Sequence, residues 1–239
     1  MMYQYIKAQP KRPISRPVAV SYALMSIGVA ILLWTAWPIL SFTLIHEGMF
    51  SSRISPLADE SVEGSSLVFS PVVLAAQTED AVDYTNANIW FPTKPQKKVV
   101  APVTSYTITI PKLKIKDALV VIGGDDLNKS LIHYGGTGLP GEYGTTVVFG
   151  HSTLPQFYKP ENYRTIFSLL PTLDVGDELF VTYDGITYRY VIEEMIVTAP
   201  NDLTPLEQRF DDSHLTLITC VPPGTYWQRL NVRARLSQI

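Results

Sequence analysis

Val18 through Ile45 is an unbroken run of 28 residues without Asp, Glu, Lys, Arg or His. As a helix it would be ~42 Å long, against a hydrocarbon core of ~30 Å, so it predicts a transmembrane span with tilt or frayed ends. Pro38 would kink it or mark its outer end, and Trp34 and Trp37 suit the outer interface. A cleaved signal peptide carries an apolar region of only ~7–15 residues, and no small-x-small cleavage pattern follows this run. A buried core helix of 28 uncharged residues is a poorer reading still. Lys7, Lys11, Arg12 and Arg16 precede the first acidic residue, which places the N-terminus in the cytoplasm and the rest outside. The expected organisation begins with a cytoplasmic tail, 1–17, and an anchor, 18–45.

The pattern is weak from 46 to 103. Serine pairs at 51–52 and 65–66, several prolines and Thr93-Lys-Pro-Gln-Lys-Lys98 read mainly as an extracytoplasmic linker, with an apolar stretch at Leu67–Ala76 broken by Pro71. From Thr104 short strands alternate with turn signals. Ser105–Ile110 has period two and ends at Pro111. Ala118–Ile122 is apolar and ends at Gly123-Gly124, after which Asp126 is placed to cap a short helix reaching Ile132. Thr145–Phe149 reads as a buried strand, and Thr165–Leu170 as one or two helical turns stopped by Pro171. Glu178–Tyr183 and Ile186–Val197 flank Asp184-Gly185, the signature of a tight hairpin whose central residues take positive φ. His214–Cys220 and Trp227–Leu236 are two further strands. Many short strands in ~135 residues predict a mainly β domain over 104–239, a closed barrel of about eight strands with short helices.

Composition sharpens this. Charged residues are 17% of the chain, below the usual quarter, as a membrane segment requires. The net charge of −3 gives no basis for nucleic-acid binding. Cys220 is the single cysteine, so neither an intramolecular disulfide nor a cysteine-based metal site is possible. A lone cysteine is usually a small buried apolar residue. An unpaired thiol outside the cell nevertheless asks for a reason. Cys220 ends a strand, because Val221-Pro-Pro-Gly224 cannot continue a ladder. A strand end opening into a loop holds a nucleophile rigidly yet within reach.

Thr216-Leu-Ile-Thr-Cys220 matches the Thr-Leu-x-Thr-Cys signature of sortases at every fixed position, and the chain resembles that family in four further segments. These are Gly138-Leu-Pro-Gly-Glu-Tyr-Gly144 leading to Val147-Val-Phe-Gly-His151; Ile110-Pro-Lys-Leu113; Phe167, Leu170, Leu173, Gly176 and Asp177 at their spacing; and the basic strand Gln228–Arg233. The resemblance runs in order from about Thr104 to the C-terminus. It implies a sortase-type barrel and a catalytic set of Cys220 as nucleophile, His151 as acid/base and Arg229 as oxyanion or substrate stabiliser. The residue types fit the chemistry. A thiol of pKa ~8.5 is only a few per cent thiolate at neutral pH and gains from a nearby cation, while an imidazole can serve the leaving and incoming amines in turn.

The other candidates separate less cleanly. Of the four histidines, His46 abuts the anchor. His214 lies six residues from Cys220, ~20 Å along a straight strand. His133 sits in the Tyr-Gly-Gly approach and stays open. Arg229, Arg233 and Arg235 share one face of their strand, so pattern alone does not choose among them; the resemblance selects Arg229. Asn88–Pro92 is the one stretch with the character of the lid that pilus-polymerising sortases carry, and it does not match their motif. Glu193, Glu194, Asp202 and Glu207 have no recognisable metal-site spacing and read as solvated carboxylates, so no cofactor is expected. By resemblance, the implied activity cleaves a sorting signal of Leu-Pro-x-Thr-Gly type in a secreted protein. The acyl group then passes through a Cys thioester to an amine of a cell-wall precursor or a pilin lysine. The alternatives are a sortase-like cysteine hydrolase and a non-catalytic anchored β-domain for adhesion or assembly.

Overall fold

In a computed structural model the described residues are 16–46, 51–52, 83–97 and 103–237. The tail before Arg16 and the apolar stretch Leu67–Ala76 lie outside them. Arg16–Ser41 forms helix α1, continued by a π-helical turn at Phe42–His46. Pro38 lies inside the helix. Pro17–Leu44 is long and apolar enough to cross a membrane, and its side chains are almost all exposed up to Ser41, whereas Phe42 is buried.

The strands are β1 (Ser51–Ser52), β2 (Ser105–Ile110), β3 (Ile115–Ile122), β4 (Leu131–His133), β5 (Gly144–Phe149), β6 (Glu178–Tyr183), β7 (Ile186–Thr198), β8 (Ser213–Val221) and β9 (Gln228–Leu236). Eight of them close a barrel in the order β2-β3-β4-β5-β8-β9-β7-β6, with β6 returning to β2. Closure depends on the 13 residues of β7. It pairs with β6 through Ile186–Val191 and with β9 through Tyr190–Thr198, and the β9 pairing carries a register shift between Ile192 and Glu194. The two-residue β1 lies parallel to Ile196 and Val197, beyond the point where β6 has ended.

Period-two patterning sends alternate side chains inward. Tyr106, Ile108 and Ile110 of β2 are buried while the serine and threonines between them are half-exposed. With Val120, Val148, Phe167, Leu217 and Val232 they fill the interior, as a barrel of eight strands requires. The β6–β7 hairpin turns through Asp184 (φ 49°) and Gly185 (φ 76°), the left-handed pair that Asp-Gly is suited to supply. Lys112 ties the turn after β2 to the turn before β6 through Asp174 at 2.5 Å and Asp177 at 2.7 Å. The expected helix from Asp126 to Ile132 does not form. Asp126 accepts the Asn128 amide and pairs with Lys129 at 2.9 Å, and the chain then enters β4, which pairs with β3 and β5. Ladder partners on both sides outweigh a local cap.

A second apolar cluster lies outside the barrel wall, on the outer faces of β5 and β8. It includes Val147, Phe149, Ile218 and Cys220. The loop from β7 to β8 folds over it through a 3-10 turn at Thr204–Leu206, with Leu206 buried. Loop and strand thus pack against one another along the outer face of β8. Residues 83–97, in the segment expected to be a linker, pack into the same cluster.

Candidate active site

Cys220 is the penultimate residue of β8, and its register partner across the antiparallel β8–β9 ladder is Arg229. Directly opposed side chains share a face and sit close together. Arg229 Nη1 donates to Cys220 Sγ at 3.3 Å and to the carbonyl oxygen of Tyr226 at 3.2 Å. Arg229 is only 2% exposed. Arg233 and Arg235 share the strand face but serve other partners. Arg233 reaches Glu194 at 3.4 Å, and Arg235 reaches Glu193 at 3.2 Å and Asp212 at 3.4 Å. Of the three arginines the fold brings Arg229 to the thiol.

His151 lies two residues past β5. The parallel β5–β8 ladder ends at Phe149 opposite Ile218, and three hydrogen bonds carry the alignment onward. Gly150 N–H donates to Ile218 O (3.1 Å), Thr219 Oγ1 to Gly150 O (2.8 Å) and Ser152 Oγ to Cys220 O (2.6 Å). Residues 150–152 are thereby held alongside 218–220, which brings the His151 backbone to the Cys220 end of β8. Gly150 is needed for this approach, because a Cβ there would sit 2.3 Å from the Phe167 ring and 2.7 Å from Leu131. Two buried side-chain atoms of the site, His151 Nε2 and Arg229 Nε, have no hydrogen-bond partner among the described residues. Such unspent capacity is costly in a closed interior and is a mark of sites that receive a ligand.

The site is closed by a strap, residues 83–97. Trp90 and Phe91 are each 1% exposed. Trp90 lies with its ring 4.8 Å from the Arg229 guanidinium carbon and 6.3 Å from the His151 ring. Phe91 packs on Phe149 and against the edge of Tyr134. One end of the strap is bonded to the barrel by Ala87 N–H to Asp125 O (2.9 Å) and Leu127 N–H to Thr85 O (2.9 Å). The other is bonded by Lys97 N–H to Gly135 O (3.0 Å) and by Gln96, which bridges Gly124, Gly135 and Asn88. Tyr84 stacks on Tyr226 at 4.1 Å, joining the strap to the loop after Cys220. From sequence, Asn88–Pro92 within this element has the character of a lid but does not match the lid motif, and the rest of the segment reads as linker. The one local signal was the doublet Trp90-Phe91 in an otherwise polar segment.

Enclosure sets the protonation states. Burial pushes the Cys220 thiol up to about 11, against the opposing pull of Arg229. Burial also lowers the His151 imidazole, and Arg164 adds in the same direction. At neutral pH the closed site therefore holds a thiol and a neutral imidazole rather than an ion pair.

The remaining candidates lie elsewhere. His133 is fully buried between Tyr106 Oη (3.0 Å) and Thr137 Oγ1 (3.1 Å), and burial lowers it to about 4, a neutral structural histidine. His214, at the opposite end of β8, reaches Asp211 at 3.1 Å. Asp202 caps the turn at Thr204 (2.9 Å), and no group of three or more His, Cys, Asp or Glu among the described residues is placed to hold a metal ion.

These features can be set against known proteins. The sortase domain family model matches residues 108–237, more than half of the 239 residues. Among solved structures, a lid mutant of sortase A from Corynebacterium diphtheriae is 28% identical, with a TM-score of 0.50 over 59% of this chain and 73% of that one. Sortase C-1 from Actinomyces oris is also 28% identical, with a TM-score of 0.50 over 59% of this chain and 76% of its own. Among curated proteins nothing matches the chain. The matched segment runs from the middle of β2 through β9 and includes Cys220, Arg229 and His151, and the chain belongs to the sortase family.

Proposed function

We propose that this chain is a membrane-anchored cysteine transpeptidase in which Cys220, His151 and Arg229 carry the reaction. The observation that carries the reading is the 3.3 Å approach of the buried Arg229 guanidinium to the only thiol, with the His151 backbone held at the same end of β8. Cys220 passes its proton to the neutral His151 imidazole, and Sγ attacks the carbonyl carbon of a peptide bond. The tetrahedral oxyanion forms beside the Arg229 fork, where one well-placed donor contributes roughly 3–4 kcal/mol. As the C–N bond breaks, His151 gives its proton to the leaving amine, and the acyl group remains as a thioester. An incoming amine loses a proton to His151, attacks the thioester and releases Cys220.

The donor is a sorting signal of Leu-Pro-x-Thr-Gly type in a secreted protein. The acceptor is an amine of a cell-wall precursor or a pilin lysine. The anchor is the 18–45 segment, with the N-terminus in the cytoplasm and residues 104–239 outside as the catalytic domain. Because Cys220 is 1% exposed beneath the strap, the donor reaches it only after Trp90 lifts.

The test is mass spectrometry of the detergent-solubilised chain with a peptide library and an amine such as triglycine. A thioester at Cys220 and an amide-linked product are expected. Water-only products would favour the hydrolase reading, and the absence of any adduct or product across the library would overturn the assignment.

A further inference from the structure

Beyond the strap, on the same outer face of β8, lies an open cavity. It lies where the outer face of β8 begins and has a volume of about 320 Å³, at the lower end of ligand pockets. Its floor is Thr145 with its register partner His214, and Thr216, all buried. Its wall is the same β7–β8 loop that covers the apolar stretch nearer Cys220, here through Thr204 and Glu207. None of the strap residues lines it, so it stays open while Cys220 is covered.

We infer that this cavity is a docking subsite for the part of the donor chain that precedes the cleaved bond, and that it takes a basic side chain. The inference rests on the reading of Cys220 as the acylated residue. In a two-step transfer the amine side of the site must empty and refill while the acyl part stays bound, so the acyl part belongs along the covered outer face of β8, beneath the β7–β8 loop. The floor from Thr216 to Cys220 is four residues and from His214 six, ~13 to ~20 Å at ~3.3 Å each. An extended donor covers that span with a similar number of residues, so its fifth or sixth residue before the cleaved bond reaches the cavity.

Charge selects the side chain. Both arginines lining the cavity are engaged, Arg233 with Glu194 at 3.4 Å and Arg209 with Asp211 at 2.9 Å. Glu193 is held by Arg235 at 3.2 Å. Glu207 is exposed at the mouth and has no ion-pair partner among the described residues. The capacity left over is that of one carboxylate above buried threonine hydroxyls, which matches Lys or Arg.

The experiment uses the full chain in detergent. Leu-Pro-x-Thr-Gly peptides carry six-residue N-terminal extensions with Arg, Ala or Glu at the fifth and sixth positions before the cleaved bond. The Arg extension should lower KM three- to five-fold relative to Ala at unchanged kcat, the scale of one half-exposed ion pair. Glu207→Gln should abolish the preference, and Glu207→Lys should transfer it to the Glu extension. Equal KM values for all three extensions, or an Arg preference that survives Glu207→Lys, would overturn the subsite. Fluorescence anisotropy of the same labelled extensions on the Cys220→Ala chain measures docking without turnover. A charge preference there with no cleavage by wild type would leave the subsite standing and count against the catalytic reading instead. Equal binding there of all three extensions would overturn the subsite whether or not cleavage occurs.

Discussion

Trp90→Ala isolates the step that gates the site. The indole is 1% exposed, 4.8 Å from the Arg229 guanidinium and within the cluster that contains Cys220. Truncating a buried tryptophan costs ~3–5 kcal/mol, and a desolvated cation–π contact is about 2 kcal/mol of that. The strap keeps its backbone hydrogen bonds at both ends, so most of the loss falls on the closed arrangement around Trp90. A shift of about 3 kcal/mol is about two factors of ten in the open population. Alkylation of Cys220 by iodoacetamide, followed by intact-mass spectrometry at equal folded fraction, should therefore accelerate about 10²-fold. The pH dependence should move too. In the closed wild type the thiol titrates near 11 because it is buried, so its alkylation rate rises with pH throughout the range below that. Admitting water favours the thiolate, so the variant's profile should bend at lower pH. An alkylation rate equal to wild type would refute the gating argument. So would faster alkylation with an unshifted profile, since that would separate access from enclosure.

Other outcomes follow from the same geometry. Cys220→Ala should abolish turnover and thioester trapping with a small change in melting temperature; turnover that survives would exclude the mechanism. Arg229→Ala should lower kcat/KM by ~10²-fold or more, and Arg229→Lys should recover little because lysine lacks the planar fork. Arg233→Ala and Arg235→Ala, which break half-exposed pairs with Glu194 and Glu193, should each change it only a few-fold; a larger loss at Arg233 than at Arg229 would relocate the oxyanion donor. The chain should partition with membranes, and protease added outside should release the domain from Thr104 onward; a soluble form beginning after Ile45 would contradict the anchor.

Much of this protein is written locally. Ser105–Ile110, Glu178–Tyr183 with its Asp-Gly turn, and the strand ending at Cys220 are set by period-two alternation and by proline and glycine signals that act over a few residues, and the structure places them within a residue or two of their expected bounds. The 28-residue uncharged run needs no neighbour to be read as a span. The signature around Cys220 identified the family, again from contiguous residues. What tertiary structure decided is everything that depends on pairing across distance. β4 replaced a capped helix because strands on both sides offered ladder bonds. Strand parity left three arginines equivalent; resemblance pointed to Arg229, and antiparallel register supplies the physical reason by setting it against Cys220. His133 and His151 were told apart by which side of the barrel wall each met. Of the strap over the site, only Asn88–Pro92 stands out in the sequence, and its closure over the thiol is not legible there. Its hydrophobicity is confined to a few side chains with no period, and its partners, Asp125, Gly135, Phe149 and Arg229, lie tens of residues away. Periodicity reports how a segment faces its own axis, whereas enclosure of a thiol is a property of surfaces that only the closed barrel brings together.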